Sequence, residues 1–159
     1  MNDTAVLGLS VALNFVAFGV VTRLYLWPRL GDMRREDALR ALIAPHMFRF
    51  VGLSFLVPGV VSPSVPAAFA VPAAYGDLTA AVLAFVAIWA LSMRASWAIA
   101  AVWLFNLEGT IDLLFAFYQG MGAGPPGALG AAFYIPTLIV PPLLVTHALI
   151  FWLLLRAKG

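Results

Sequence analysis

Long apolar runs alternate along the chain with short breaks that are either charged or rich in proline and glycine. A helix needs roughly 20 predominantly apolar residues to cross a hydrocarbon core of about 30 Å. Runs that meet this requirement are predicted as helices at about residues 5–26, 41–61, 75–91, 97–118 and 130–155. The first carries no charge before Arg23, and the charged stretch from Arg29 to Arg40 separates it from the second. Pro63, Pro66 and Pro72 do not fit one helix interior, so residues 62–74 read as an external loop. Ser92 to Ser96 is a tight helix–helix turn, and the glycines and prolines of residues 120–127 form a breaker cluster. The last run, residues 128–155, would extend about 42 Å as a continuous helix. Pro136, Pro141 and Pro142 predict a kink or break in its outer half. The expected fold is all-α: a single transmembrane domain over residues 1–159, a polytopic bundle of five crossings with a proline-kinked last helix.

Composition sharpens this reading. Hydrophobic residues make up 64% of the 159-residue chain and charged residues 10%, with a mean hydropathy of +1.00. Soluble domains carry about 25% charged residues, and a chain this short cannot hide such an apolar surplus from water. The surplus is therefore expected to face lipid. The absence of cysteine rules out disulfides, thiolate metal sites and a cysteine nucleophile. A formal charge of +2 gives no footing for nucleic acid. Asn2, Asp3 and Thr4 provide no basic n-region, so the first apolar segment is expected to be retained as a spanning helix.

The basic residues predict an orientation. Arg23, Arg29, Arg34, Arg35 and Arg40 flank or occupy the first connection, Arg94 lies in the third, and Arg156 and Lys158 lie at the carboxyl end. The second and fourth connections have neither Lys nor Arg. With five crossings the positive-inside rule places the amino terminus outside and the carboxyl terminus in the cytoplasm. Trp27, Trp89, Trp97 and Trp152 then fall near cytoplasmic ends, and Tyr75, Tyr118 and Tyr134 near outer ends, as interface belts require. The expected location is a bacterial cytoplasmic (inner) membrane.

Ionisable residues inside spanning helices are costly and usually turn inward to find partners. The candidates are His46 and Arg49 in the second segment, Asp77 in the third, Glu108 and Asp112 in the fourth, and His147 in the fifth; Asn14 and Asn106 add neutral polar groups. His46 and Arg49 share a helix face at i, i+3, as do Glu108 and Asp112 at i, i+4. Two carboxylates one turn apart call for a cation or a shared proton. Arg49 is the obvious cation; it reads either as a cytoplasmic anchor that snorkels to the interface or as an interior partner of Glu108. Asp77, at the predicted start of its helix, reads most simply as a cap. Glu108, Asp112, His46 and His147 are the candidate acid–base residues. Arg49, Asn14, Asn106, Trp103 and Phe50 are the candidate ligand-binding residues, with Phe105 a further aromatic wall. His46 and His147 fall at similar depth, so ligation of haem b between them is weighed against structural hydrogen bonding, which is preferred. No HExxH or comparable zinc spacing occurs. The residues from Pro136 to Pro142 read either as part of an outward cavity or as a kink re-satisfied by neighbouring helices.

In size and crossing number the chain is similar to the tryptophan-rich sensory and translocator proteins and to sterol-isomerase-like five-helix proteins. No signature residue of either can be laid on it, so the similarity implies no residue roles. Three functions fit the sequence. The first is a His/Arg/Glu/Asp site that binds, and converts by acid–base chemistry, a lipid-soluble small molecule. The second is a non-catalytic subunit or assembly factor of a larger membrane complex. The third is a proton-coupled small transporter working as a homo-oligomer. Membrane lipid is a partner in all three.

Overall fold

The computed structural model describes residues 2–156. Among these it is all-helical, with no β-strand. Five helices are long and apolar enough to cross a membrane: α1 (Asp3–Asp32), α2 (Arg35–Leu56), α3 (Ala67–Ser92), α4 (Ala98–Gly120) and α5 (Ile135–Leu155). A 3₁₀ segment, Pro126–Phe133, precedes α5.

Helices α1 to α4 outrun at one or both ends the apolar runs that mark them, whereas α2 stops at Leu56 rather than near residue 61 and α5 begins at Ile135 rather than near residue 130. The helix of α1 continues past the last apolar residues through Pro28, because a π turn at Thr22–Leu26 precedes the proline. Helix α2 starts inside the charged stretch at Arg35, where Glu36 and Asp37 sit favourably in the first turn. Helix α3 starts at Ala67 rather than near residue 75, so half of the expected external loop is helical. Pro66 occupies its N-cap, and Pro72 lies inside the second turn, where it leaves the Ala68 carbonyl without an i+4 donor. The remaining loop is pinned across the bundle end: Ala131 N donates to Val60 O at 3.1 Å, and Ser62 N to Ala128 O at 2.8 Å. Gly130 makes the approach possible, with φ 53° and no room for a side chain against the Val60 carbonyl.

Helix α3 lies between α2 and α4, while α5 packs on α4, on the first half of α2 and on α1. The buried seam of α3 is almost entirely alanine, including Ala73, Ala80, Ala84 and Ala87, which lets its neighbours approach closely. No residue of α1 before Leu30 is buried. Two apolar clusters divide the bundle. One holds Leu39, Ile43, Leu91, Val102, Phe105 and Ile150; the other holds Phe55, Phe69, Leu113, Ile135 and Leu143. In each of α2 to α5 buried polar residues fall along the chain between the two clusters: His46 and Arg49, Asp77, Asn106, and Thr146 with His147. The bundle therefore has a polar layer at mid-height, closed on one side by the first cluster.

Candidate functional site

Helix α2 owes its role to a change of pitch. From Ala44 to Leu56 it runs as a 3₁₀ helix, and its buried residues are His46, Arg49, Gly52 and Phe55. At three residues per turn these positions stack in one row. On an α-helix, nine residues of separation would put Phe55 about 180° away from His46. The tighter winding thus turns all four positions into the bundle, with Gly52 leaving room between the side chains of Arg49 and Phe55.

Arg49 is the hub of the layer. Its side chain is 1% exposed; Nε donates to Asp77 Oδ1 at 2.8 Å, Nη1 to Gly109 O at 3.1 Å, and Nη2 to Asp112. The guanidinium therefore ties α2 to both α3 and α4. Three glycines make space for it. A Cβ on Gly52 would overlap the Asp77 carboxylate, and one on Gly76 the Asp112 carboxylate. A Cβ on Gly109 would lie 2.8 Å from Arg49 Nη1 and 2.9 Å from His147 Nε2. Each polar side chain thus rests against the bare backbone of a neighbouring helix.

The histidines occupy the adjoining level. His147 Nδ1 donates to Asn106 Oδ1 at 2.7 Å, while Asn106 Nδ2 donates to His147 O at 3.3 Å. Thr146 Oγ1 donates to Leu143 O at 2.9 Å, so it receives its 2.9 Å contact from the His46 Nε2 proton. This assignment of protons leaves His147 Nε2 and His46 Nδ1 buried without a partner among the described residues. The two rings pack at 4.2 Å between centroids, and Phe105 sits against both. Haem b does not fit this pair. A porphyrin would have to separate two rings that are in contact, and Nε2 of His46 is already bonded to Thr146 Oγ1.

The polar layer gathers five of the nine candidate residues: His46, Arg49, Asn106, Asp112 and His147. Glu108 stands one turn from Asp112 on α4, with Oε2 buried and unbonded; it is not the partner of Arg49. Asp77 takes that place instead of capping a helix, because α3 begins ten residues before it. Trp103 packs on Phe151 at 5.8 Å, and Phe50 is 48% exposed on the outer surface of α2. Asn14 lies elsewhere and has a different task. Its amide donates to Thr137 O at 2.9 Å and Leu138 O at 2.8 Å. These are the carbonyls that Pro141 and Pro142 leave without an i+4 donor. Asp77, Thr146 and the three glycines belong to the layer beyond the nine. A lone carboxylate and recurrent glycines in otherwise apolar helices were the available signals.

Above the layer lies a cavity of about 120 Å³. Its walls include Phe55, Phe69, Leu113 and Phe117, its polar groups are Asp77 and Asp112, and Pro136 and Val140 of α5 contribute a side. It extends to Met121, which is 80% exposed. An apolar chamber that ends on two oriented carboxylates is suited to a molecule with a mostly hydrophobic body and a polar end.

Fold and site together define a five-helix, membrane-type bundle with a buried arginine–dicarboxylate layer. The chain belongs to the family described as a domain of unknown function, DUF8737, whose model matches residues 6–155. No curated protein and no solved structure matches it.

Proposed function

We propose that this protein binds a lipid-soluble small molecule in the chamber between Phe55, Phe69 and Phe117, with its polar end at Asp77 and Asp112. The observation that carries the reading is the pairing of an apolar cavity with carboxylates whose positions are fixed by one buried guanidinium. Asp77 and Asp112 each give only one oxygen to Arg49, so a donor group on the ligand would meet a free acceptor on each. In the acid–base extension of this reading Asp112 exchanges a proton with the bound molecule, and Glu108 and the two histidines lie behind it as further proton acceptors. The distribution of arginines and tryptophans supports an external amino terminus and a cytoplasmic carboxyl terminus, and Pro136, Pro141 and Pro142 support a kinked last helix. In that orientation the chamber faces outward and the Leu39–Ile150 cluster closes the cytoplasmic side, which favours a binding site over a through-path for protons.

Mass spectrometry of an organic extract of the purified protein, with an absorption spectrum of the same sample, tests the reading. A stoichiometric apolar species that is lost from a folded Asp112→Asn variant is expected. Bulk lipid alone, in the same amount from both proteins, would remove the reading. The unburied face of α1 would then favour a subunit of a larger membrane complex.

A further inference from the structure

We propose a second site, independent of the chamber, that binds phosphate at the basic end of the bundle. A cleft of about 550 Å³ lies between the start of α2 and the α3–α4 turn, and Arg34, Arg40 and Arg94 line it together with Glu36. Arg34 Nε reaches one oxygen of Asp37 at 2.8 Å, and Arg40 reaches the other. Asp37 thereby holds two guanidiniums side by side, each through a single nitrogen. Three guanidiniums against two carboxylates leave the cleft net positive.

Arg94 provides the independent observation. Ala95 N donates to Ala90 O at 3.0 Å and Arg94 N to Leu91 O at 3.3 Å. This is the Schellman pattern that ends a helix, and Arg94 occupies its left-handed position with φ 52°. Glycine is the usual residue there because an L side chain is strained in that conformation. Among the described residues, Arg94 makes no ion pair and no side-chain hydrogen bond that would repay the strain. Its side chain lines the cleft instead. Of the three guanidiniums in the cleft, Arg94 alone has no carboxylate partner among the described residues, so its donors are free for an anion.

The cleft also contains the first residues of α4, Ala98 and Ile99, and Trp97 at the N-cap gives no side-chain hydrogen bond to the amides there. The dipole of this helix adds to the arginines in favouring an anion. Trp89 and Trp97, 5.9 Å apart, stand beside the turn. A tryptophan pair marks the interfacial level of a bilayer, where phosphate groups lie. The ligand is a phosphate mono- or diester, carried either by an anionic phospholipid headgroup or by a soluble phosphate compound.

The test uses the full chain in phosphatidylcholine nanodiscs, with phosphatidylglycerol and inorganic phosphate as probes. Native mass spectrometry reads lipid retention, and thermal unfolding reads stability. Wild type should retain phosphatidylglycerol over phosphatidylcholine, or be stabilised by phosphate, and R94G should weaken the effect by about fivefold or more. R94G should unfold at the same temperature or higher, since glycine relieves the strained turn, so loss of binding cannot be ascribed to misfolding. A response to phosphatidylglycerol alone identifies the lipid as the source; displacement by inorganic phosphate identifies a soluble one. Equal binding by wild type, R94G and R40Q, or no preference for either probe in wild type, overturns the proposal.

Discussion

Arg49 and Asp112, 63 residues apart in sequence, are joined through Nη2 of the guanidinium, while Nε of the same group holds Asp77 on a third helix. One cation thus fixes the mutual rotation of α2, α3 and α4. Its removal strands two carboxylates in a low-dielectric layer. Arg49→Met is expected to destabilise the protein by about 3–5 kcal/mol, the cost of leaving a buried charge unpaired. Adding Asp77→Asn and Asp112→Asn to Arg49→Met should restore much of the loss. Reversible unfolding in detergent, run as a mutant cycle, measures both; a triple variant no better than the single one would contradict the pairing.

Gly109 separates Arg49 from His147 by backbone alone. Gly109→Ala puts a methyl group against both side chains and should destabilise by about 1–3 kcal/mol, as overpacking does. Gly8 lies on the outer face of α1 with no atom near its absent Cβ. Gly8→Ala should therefore be neutral or stabilising by up to about 1 kcal/mol. Comparing the two unfolding midpoints separates a packing requirement from a general intolerance of substitution.

The carbonyls of Thr137 and Leu138 have lost their helical donors to Pro141 and Pro142, and Asn14 supplies the replacement. Asn14→Leu should cost about 1–3 kcal/mol for two carbonyls left without a donor. The penalty should shrink when Pro141 and Pro142 are both replaced by alanine, because the helix then provides its own donors. A penalty that is unchanged in that background would show that Asn14 acts in some other way.

The chain has no cysteine, so single cysteines report orientation without background. Ser64→Cys and Gly122→Cys should react with a membrane-impermeant maleimide in intact cells. Met33→Cys and Ser96→Cys should react only after lysis. All four positions are exposed. The opposite pattern would invert the orientation while leaving the bundle unchanged.

The number of helices long and apolar enough to span a membrane was legible in the sequence because that requirement acts residue by residue: an apolar run of sufficient length meets it without reference to the rest of the chain. The inward placement of His46, Arg49, Asp112 and His147 followed from the same energetics, since a charge in hydrocarbon must turn away from it. What could not be read was who meets whom. Sequence depth offered Glu108 as an interior partner of Arg49, whereas the structure gives it Asp77 and Asp112, because the choice depends on where α3 starts and on how α2 and α4 are rotated. The early start of α3 carries Asp77 to mid-height, and the 3₁₀ winding of α2 turns Arg49 toward it. Asn14 likewise offered no local clue to its task. Its partners are carbonyls freed by prolines more than a hundred residues away, and only the packing of α1 on α5 brings donor and acceptors together. Solvation fixes whether a residue lies inside, and it does so locally. The partner inside is set by helix rotation, pitch and neighbour order, and these emerge only when all the helices are packed at once.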